Sequence, residues 1–128
     1  MHQTIQTEEA PQAIGPYSQA IKVGNMVFVS GQIPLHPETK EMVSGDIVEE
    51  IKQVFENLNA IAKAANAGLH DIVKLTIYLT DLNFFPQVND MMTHYFSAPF
   101  PARATIGVSA LPKGARVEMD AIIMIPTE

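Results

Sequence analysis

Arg103 and Glu118 are the residues of this sequence whose type and place most invite chemistry. Arg103 follows Phe100-Pro101-Ala102 at the start of an apolar strand pattern, where water is being excluded and a charge is a costly choice. Its guanidinium is planar, permanently charged and matched to a carboxylate by two parallel hydrogen bonds. Glu118 sits in the next strand pattern and alternates with the apolar Val117, Met119, Ala121, Ile123 and Ile125, so it lies on the face opposite to them. Period two gives Arg103 and Thr105 one face of their strand, and Glu118 and Asp120 one face of theirs. If the two strands pair as a hairpin in a register that brings those faces together, one site holds a cation for a substrate carboxylate and a base for water. The pattern equally admits an arginine ending in solvent, or a cross-strand Arg–Glu ion pair of small energetic value.

Other chemistries find little support. The histidines, His2, His36, His70 and His94, offer no pair at i, i+2 or i, i+4, so no metal site is expected. There is no cysteine, which removes disulfides, thiolate nucleophiles and thiolate metal ligands, and fits a reducing compartment. No Gly-x-Ser-x-Gly elbow, phosphate loop or dinucleotide fingerprint appears, so no cofactor is expected. The seven methionines read as core filler. With 8 Lys plus Arg against 14 Asp plus Glu, the formal charge is −6, and the lysines are scattered. Such a surface could not neutralise a run of phosphates, so nucleic acid is not an expected partner. The longest aliphatic run, Ala121 to Ile125, is far too short to span a bilayer, and no signal-peptide pattern precedes the first lysine, Lys22. A soluble cytoplasmic protein with one domain over residues 1–128 is expected.

The elements that would position these residues are legible as periodicities. Tyr17 to Val23, Gly24-Asn25 and Met26 to Ser30 read as a hairpin, with glycine first in a two-residue type II′ loop. A loop is expected from Gln32 to Ser44. Ile47, Ile51, Val54, Phe55, Leu58, Ile61, Ala62 and Ala65 recur at helical spacing, leaving Glu49, Glu50, Gln53, Asn57 and Lys63 outward. Asp46 with Glu49 resembles a capping box, and Gly68 is the expected stop. Asp71 to Thr80 alternates, with Val73, Leu75, Ile77 and Leu79 on one face. A second helix is expected from about Asn83 to Phe96 with Pro86 in its first turn, burying Phe85, Val88, Met92, Tyr95 and Phe96. Strand patterns at Arg103 to Ser109 and Arg116 to Ile125 complete an α+β two-layer sandwich, two helices on one face of a mixed or antiparallel sheet. Because Val27-Phe28-Val29 and Ala121 to Ile125 are apolar at consecutive positions, the helix-free sheet face is expected to be covered by another copy of the chain.

Pro101-Ala102-Arg103-Ala104, then Ile106, Ser109, Leu111 and Val117-Glu118-Met119, resembles the signature of the RidA/YjgF family of reactive-intermediate deaminases. Ala13-Ile14-Gly15-Pro16-Tyr17-Ser18-Gln19-Ala20, Ser30-Gly31-Gln32-Ile33-Pro34, Asp71-Ile72-Val73-Lys74 and Thr80-Asp81-Leu82 are similar to that family too. The resemblance implies a chorismate-mutase-like α+β fold and a homotrimer with three sites in the clefts between subunits. It implies that Arg103 grips the substrate carboxylate and Glu118 positions or activates water, with Tyr17, Ser30, Gly31, Asn89 and Thr105 lining the pocket. Thr105 stands where many members carry cysteine, so thiol-dependent roles suggested for some members do not carry over. The implied reaction is cofactor-free hydrolysis of enamines such as 2-aminoacrylate and 2-aminocrotonate, through their imine tautomers, to 2-keto acids and ammonia. The enzyme implied is a 2-iminobutanoate/2-iminopropanoate deaminase. The same cleft could instead serve a non-catalytic sensor that binds a keto acid. Ribonuclease activity, claimed for some similar proteins, fits the acidic balance poorly, and chorismate mutase would call for more than two arginines.

Overall fold

The computed structural model describes residues 2–126. Its elements are β1 (His2–Ile5), β2 (Ala20–Val23), β3 (Met26–Gln32), α1 (Ile47–Ala64), β4 (Ile72–Leu79), α2 (Phe85–Tyr95), β5 (Ala102–Gly107) and β6 (Val117–Met124). The six strands form one sheet in the order β1-β2-β3-β6-β4-β5. All neighbours are antiparallel except β4 and β5, which are parallel, so the sheet is mixed. The α+β architecture expected from the periodicities is present, with β1 added at one edge. Gly24 has φ of 60°, the left-handed backbone that the first position of a type II′ turn requires.

The last two strands do not pair as a hairpin. β4, α2 and β5 form a parallel crossover that leaves β5 at the sheet edge, and β6 inserts between β3 and β4. The burial of each strand suits its place. Val117, Met119, Ala121 and Ile123 are buried along β6, whereas β5 has no fully buried residue, as an edge strand can tolerate.

One continuous core lies between the helices and the sheet. Ile51, Val54, Phe55, Leu58 and Ile61 of α1 meet Val27, Leu75, Ile77, Met119 and Ile123, all with no solvent exposure. Burying each such side chain contributes about 1.5–3 kcal/mol. Phe55 also ties the helices together, its ring 5.0 Å from Tyr95 and 5.6 Å from Phe96.

Five local expectations need correction. Glu50 and Asn57 are buried rather than outward, because each has a polar partner waiting inside. The Glu50 carboxylate accepts from Arg116 Nε at 2.6 Å, and Asn57 Nδ2 donates to the carbonyls of Ile33 at 3.3 Å and Leu35 at 3.0 Å. Val73 is exposed while Ile72 is buried, since the pairing of β4 with β6 shifts register between Ile72 and Lys74. Asp46 caps α1 through Val48 N–H at 3.0 Å, without the reciprocal bond from Glu49 that a capping box needs. The helix ends at Ala64 with Ala65 as its C-cap, and Asn66 rather than Gly68 takes the left-handed conformation at φ 62°. α2 starts at Phe85 because a short 3-10 turn, Leu82–Phe84, precedes it; Val88, Met92 and Phe96 are buried, whereas Phe85 and Tyr95 are only half-buried.

The face of the sheet away from the helices carries Phe28 paired with Ile122 and Met26 paired with Met124. Phe28 remains 44% and Met124 43% exposed.

Candidate active site

The register settles where the two chemical residues go. Arg103 is opposite Leu75 and Thr105 opposite Ile77, so both lie on the helix-covered face. Glu118 is opposite Tyr78 and Asp120 opposite Thr76, on the bare face. Within one protomer, Arg103 and Glu118 therefore stand on opposite sides of the sheet.

Arg103 reaches α2 from the edge strand. Its Nη1 donates to Asn89 Oδ1 at 2.5 Å and approaches Met92 Sδ at 3.4 Å, while the guanidinium lies 4.9 Å from the centre of the Phe85 ring. Phe85, Asn89 and Met92 follow one another at helical spacing, so a single face of α2 orients the cation from three sides. The remaining N–H groups of this exposed guanidinium are free to donate into a cavity of about 350 Å³, lined also by Asn89, Phe100 and Pro101. Thr105, two residues along the same face, buries its Oγ1 without a hydrogen-bond partner. Arg116 behaves differently: it is committed to the buried carboxylate of Glu50 at 2.5 Å, to the Gly45 carbonyl, and to the ring of Phe84 at 5.5 Å. Arg103 is thus the arginine left open to an anion.

Glu118 lies in a second cavity, of about 570 Å³, which also gathers Tyr17, Ser30 and Gly31. Four of the seven site residues expected from the sequence thus share this cavity, Arg103 and Asn89 share the other, and Thr105 lies beside Arg103 on the same strand. Gly31 is a close-approach glycine: a Cβ there would collide with Glu118 Oε2 and lie 2.9 Å from its carboxyl carbon. The Ser30 hydroxyl donates to the Ser18 carbonyl at 2.5 Å, pinning the strand to the segment that bears Tyr17. Burial pushes the Glu118 carboxyl above its ordinary range, and the nearby Asp120 charge adds to the effect. Asp120 itself accepts from the Tyr78 hydroxyl at 2.9 Å.

Two buried amides missed in the sequence hold this cavity's walls. Gln19 donates to the carbonyls of Thr7 at 3.0 Å and Pro11 at 2.7 Å, and Asn57 holds Ile33 and Leu35 as described above. Pro11, Ile33 and Leu35 all line the cavity. The only signal was negative: a polar residue inside an otherwise apolar helical stripe, as at Asn57, marks a possible buried partner. Among the described residues, no group of three or more His, Asp or Glu side chains could hold a metal ion, and no helix is long and apolar enough to cross a membrane.

The structure thus defines a small α+β protein with two helices on a mixed six-stranded sheet, an open arginine on one sheet face and a partly desolvated carboxylate on the other. The family model described as Endoribonuclease L-PSP matches residues 7–125. The chain is 50% identical over 121 residues to a 2-iminobutanoate/2-iminopropanoate deaminase of Dermatophagoides farinae, covering 94% of each. It is 55% identical over 120 residues to a RutC family protein of Pyrococcus abyssi, again covering 94% of each. The crystal structure of RidA from an Antarctic Psychrobacter matches with a TM-score of 0.93 at 50% identity, over 96% of this chain and 99% of that one. The chain belongs to this family, RidA/YjgF.

Proposed function

We propose that the protein is a cofactor-free deaminase that hydrolyses 2-imino acids to 2-keto acids and ammonia. The observation that carries this reading is the pairing of chemistries: an open, oriented guanidinium at Arg103 and a carboxylate held above its ordinary pKa at Glu118. Relatives named as imine deaminases support it. Arg103 takes the substrate carboxylate by two hydrogen bonds and leaves the iminium carbon facing Glu118. Glu118 removes a proton from water as its oxygen bonds to that carbon. The same proton then goes to the amino nitrogen, the carbon–nitrogen bond breaks, and the hydroxyl proton leaves as the keto group forms, giving keto acid and ammonium. A raised pKa suits a group that must both take and return a proton near neutral pH.

Because one sheet separates the two residues, one protomer cannot present both to one small molecule. The reading therefore includes a homotrimer, in which Arg103 of one copy and Glu118 of the next share each cleft. The apolar pairs Phe28–Ile122 and Met26–Met124 on the bare face are what such an assembly would cover. A keto-acid sensor would use the same Arg103 but has no use for a desolvated base. RNA cleavage finds no basic surface in a chain of net charge −6.

The test supplies an imine in solution from an amino-acid oxidase or dehydratase and follows keto-acid release. Release faster than the spontaneous rate, lost on Arg103→Ala, is expected. Unchanged release with wild type would end the deaminase reading.

A further inference from the structure

An exposed lysine borders the Glu118 cavity, and the proposed hydrolysis has no task for it. Lys113 lines it beside Tyr17, Ser30 and Glu118. It sits at the tip of the turn Pro112–Gly114 with a left-handed backbone, φ 57° and ψ 24°, and Gly114 follows at φ 72°. A lysine seldom adopts that conformation, and here it carries the side chain to the cavity just before the chain enters β6. Among the described residues no carboxylate lies within 4.0 Å of its ammonium. Lys113 is therefore not the counter-ion of Glu118, whose carboxyl is shifted only upward.

The cavity, about 570 Å³, is one copy's open share of the cleft that a second copy's Arg103 completes in the trimer reading, and it takes in Ile33, Leu35, Pro112 and Lys113 besides Glu118. Ile33, Leu35 and Pro112 supply an apolar wall between its charged groups. An apolar corridor with a free ammonium suits a side chain that is aliphatic along its length and anionic at its end. In a chain of net charge −6, with Glu118 in the same cavity, a second substrate carboxylate needs a local cation to enter at all. A lysine, a compact charge on a flexible stem, can meet side chains of different length.

We propose that Lys113 is the specificity-determining residue that reads the far end of the substrate side chain, so that the protein accepts imines of dicarboxylic amino acids. The 2-carboxylate is held by Arg103 of the neighbouring copy and the distal carboxylate by Lys113. The inference rests on the deaminase reading for its reaction, but not for its binding selectivity.

Calorimetry of the full-length protein with 2-oxobutanoate and 2-oxoglutarate, which differ by the distal carboxylate, separates the two. Lys113→Met should weaken 2-oxoglutarate by about tenfold or more and change 2-oxobutanoate by less than about twofold. Lys113→Arg should keep the preference. Keto-acid release from the matching imines should show the same selective loss. Equal losses on both ligands, no loss on either, or failure of the wild type to bind 2-oxoglutarate would overturn the role of Lys113. If the wild type binds both keto acids with the stated selectivity but hydrolyses neither imine, the deaminase reading falls and Lys113 stands as a binding determinant.

Discussion

The Arg103 and Glu118 cavities solve different physical problems, and their construction shows it. Arg103 extends from an edge strand, stays exposed, and needs only one face of α2 to orient it. A guanidinium keeps its charge at any working pH, so it can grip a carboxylate without being removed from water. Glu118 stands on a strand paired on both sides, its cavity walls tied down by fully or nearly buried Gln19 and Asn57. A carboxylate that exchanges protons must be partly desolvated, and desolvation requires a rigid surround. In the proposed reaction, binding is assigned to an edge strand and proton transfer to a central one.

The sharpest way to break that contrast is Glu118→Gln. Turnover should fall by roughly 10²–10⁴-fold, while calorimetry should find keto-acid affinity retained; loss of both together would erase the division of labour. Arg103→Ala should instead lower affinity and kcat/KM together, by on the order of 10²-fold. Mixing these two inactive variants and reassembling them tests whether the halves belong to different copies. In a trimer with one Arg103 and one Glu118 per cleft, each mixed trimer regains one working site, so an equal mixture should recover about a quarter of wild-type activity. No recovery after verified subunit exchange would overturn the cleft shared between copies.

Smaller effects concern the proton. Asp120→Asn keeps an acceptor for Tyr78 but removes the charge that helps raise Glu118. The acid limb of the pH–rate profile should move to lower pH, and an unmoved limb would assign it to another group. Glu118 also costs stability in a direction that can be checked. Its folded carboxyl binds a proton more tightly than the unfolded one, so folding weakens as pH rises from the ordinary carboxylate range through its raised value. Denaturant midpoints should show Glu118→Gln more stable than wild type at neutral pH, with the gain disappearing in acid.

How much of this was legible beforehand depended on range. α1 and the alternating strands were readable because burial repeats with the local period, as Ile51, Val54 and Leu58 or Val117, Met119 and Ala121 show. Glu50 and Asn57 were not, since an acid or amide reads as outward until the partner is known, and the partners lie 66 residues away at Arg116 and 22 away at Leu35. Arg103 and Glu118 were identifiable by type and by family likeness. Their placement on opposite faces was not, because it follows from β6 choosing β3 and β4 over its sequence neighbour β5.

That choice has a consequence for folding. The meander β1-β2-β3 and the crossover pair β4-β5 share no strand contact until β6 arrives, and β6 must join Met26 to Met124 and Leu79 to Val117 at once. The sheet is thus closed by its most sequence-distant pairing, whose loop entropy must be overcome before the central contacts form. A chain emerging residue by residue can build two separate pieces early, but Glu118 enters only with the strand that fuses them.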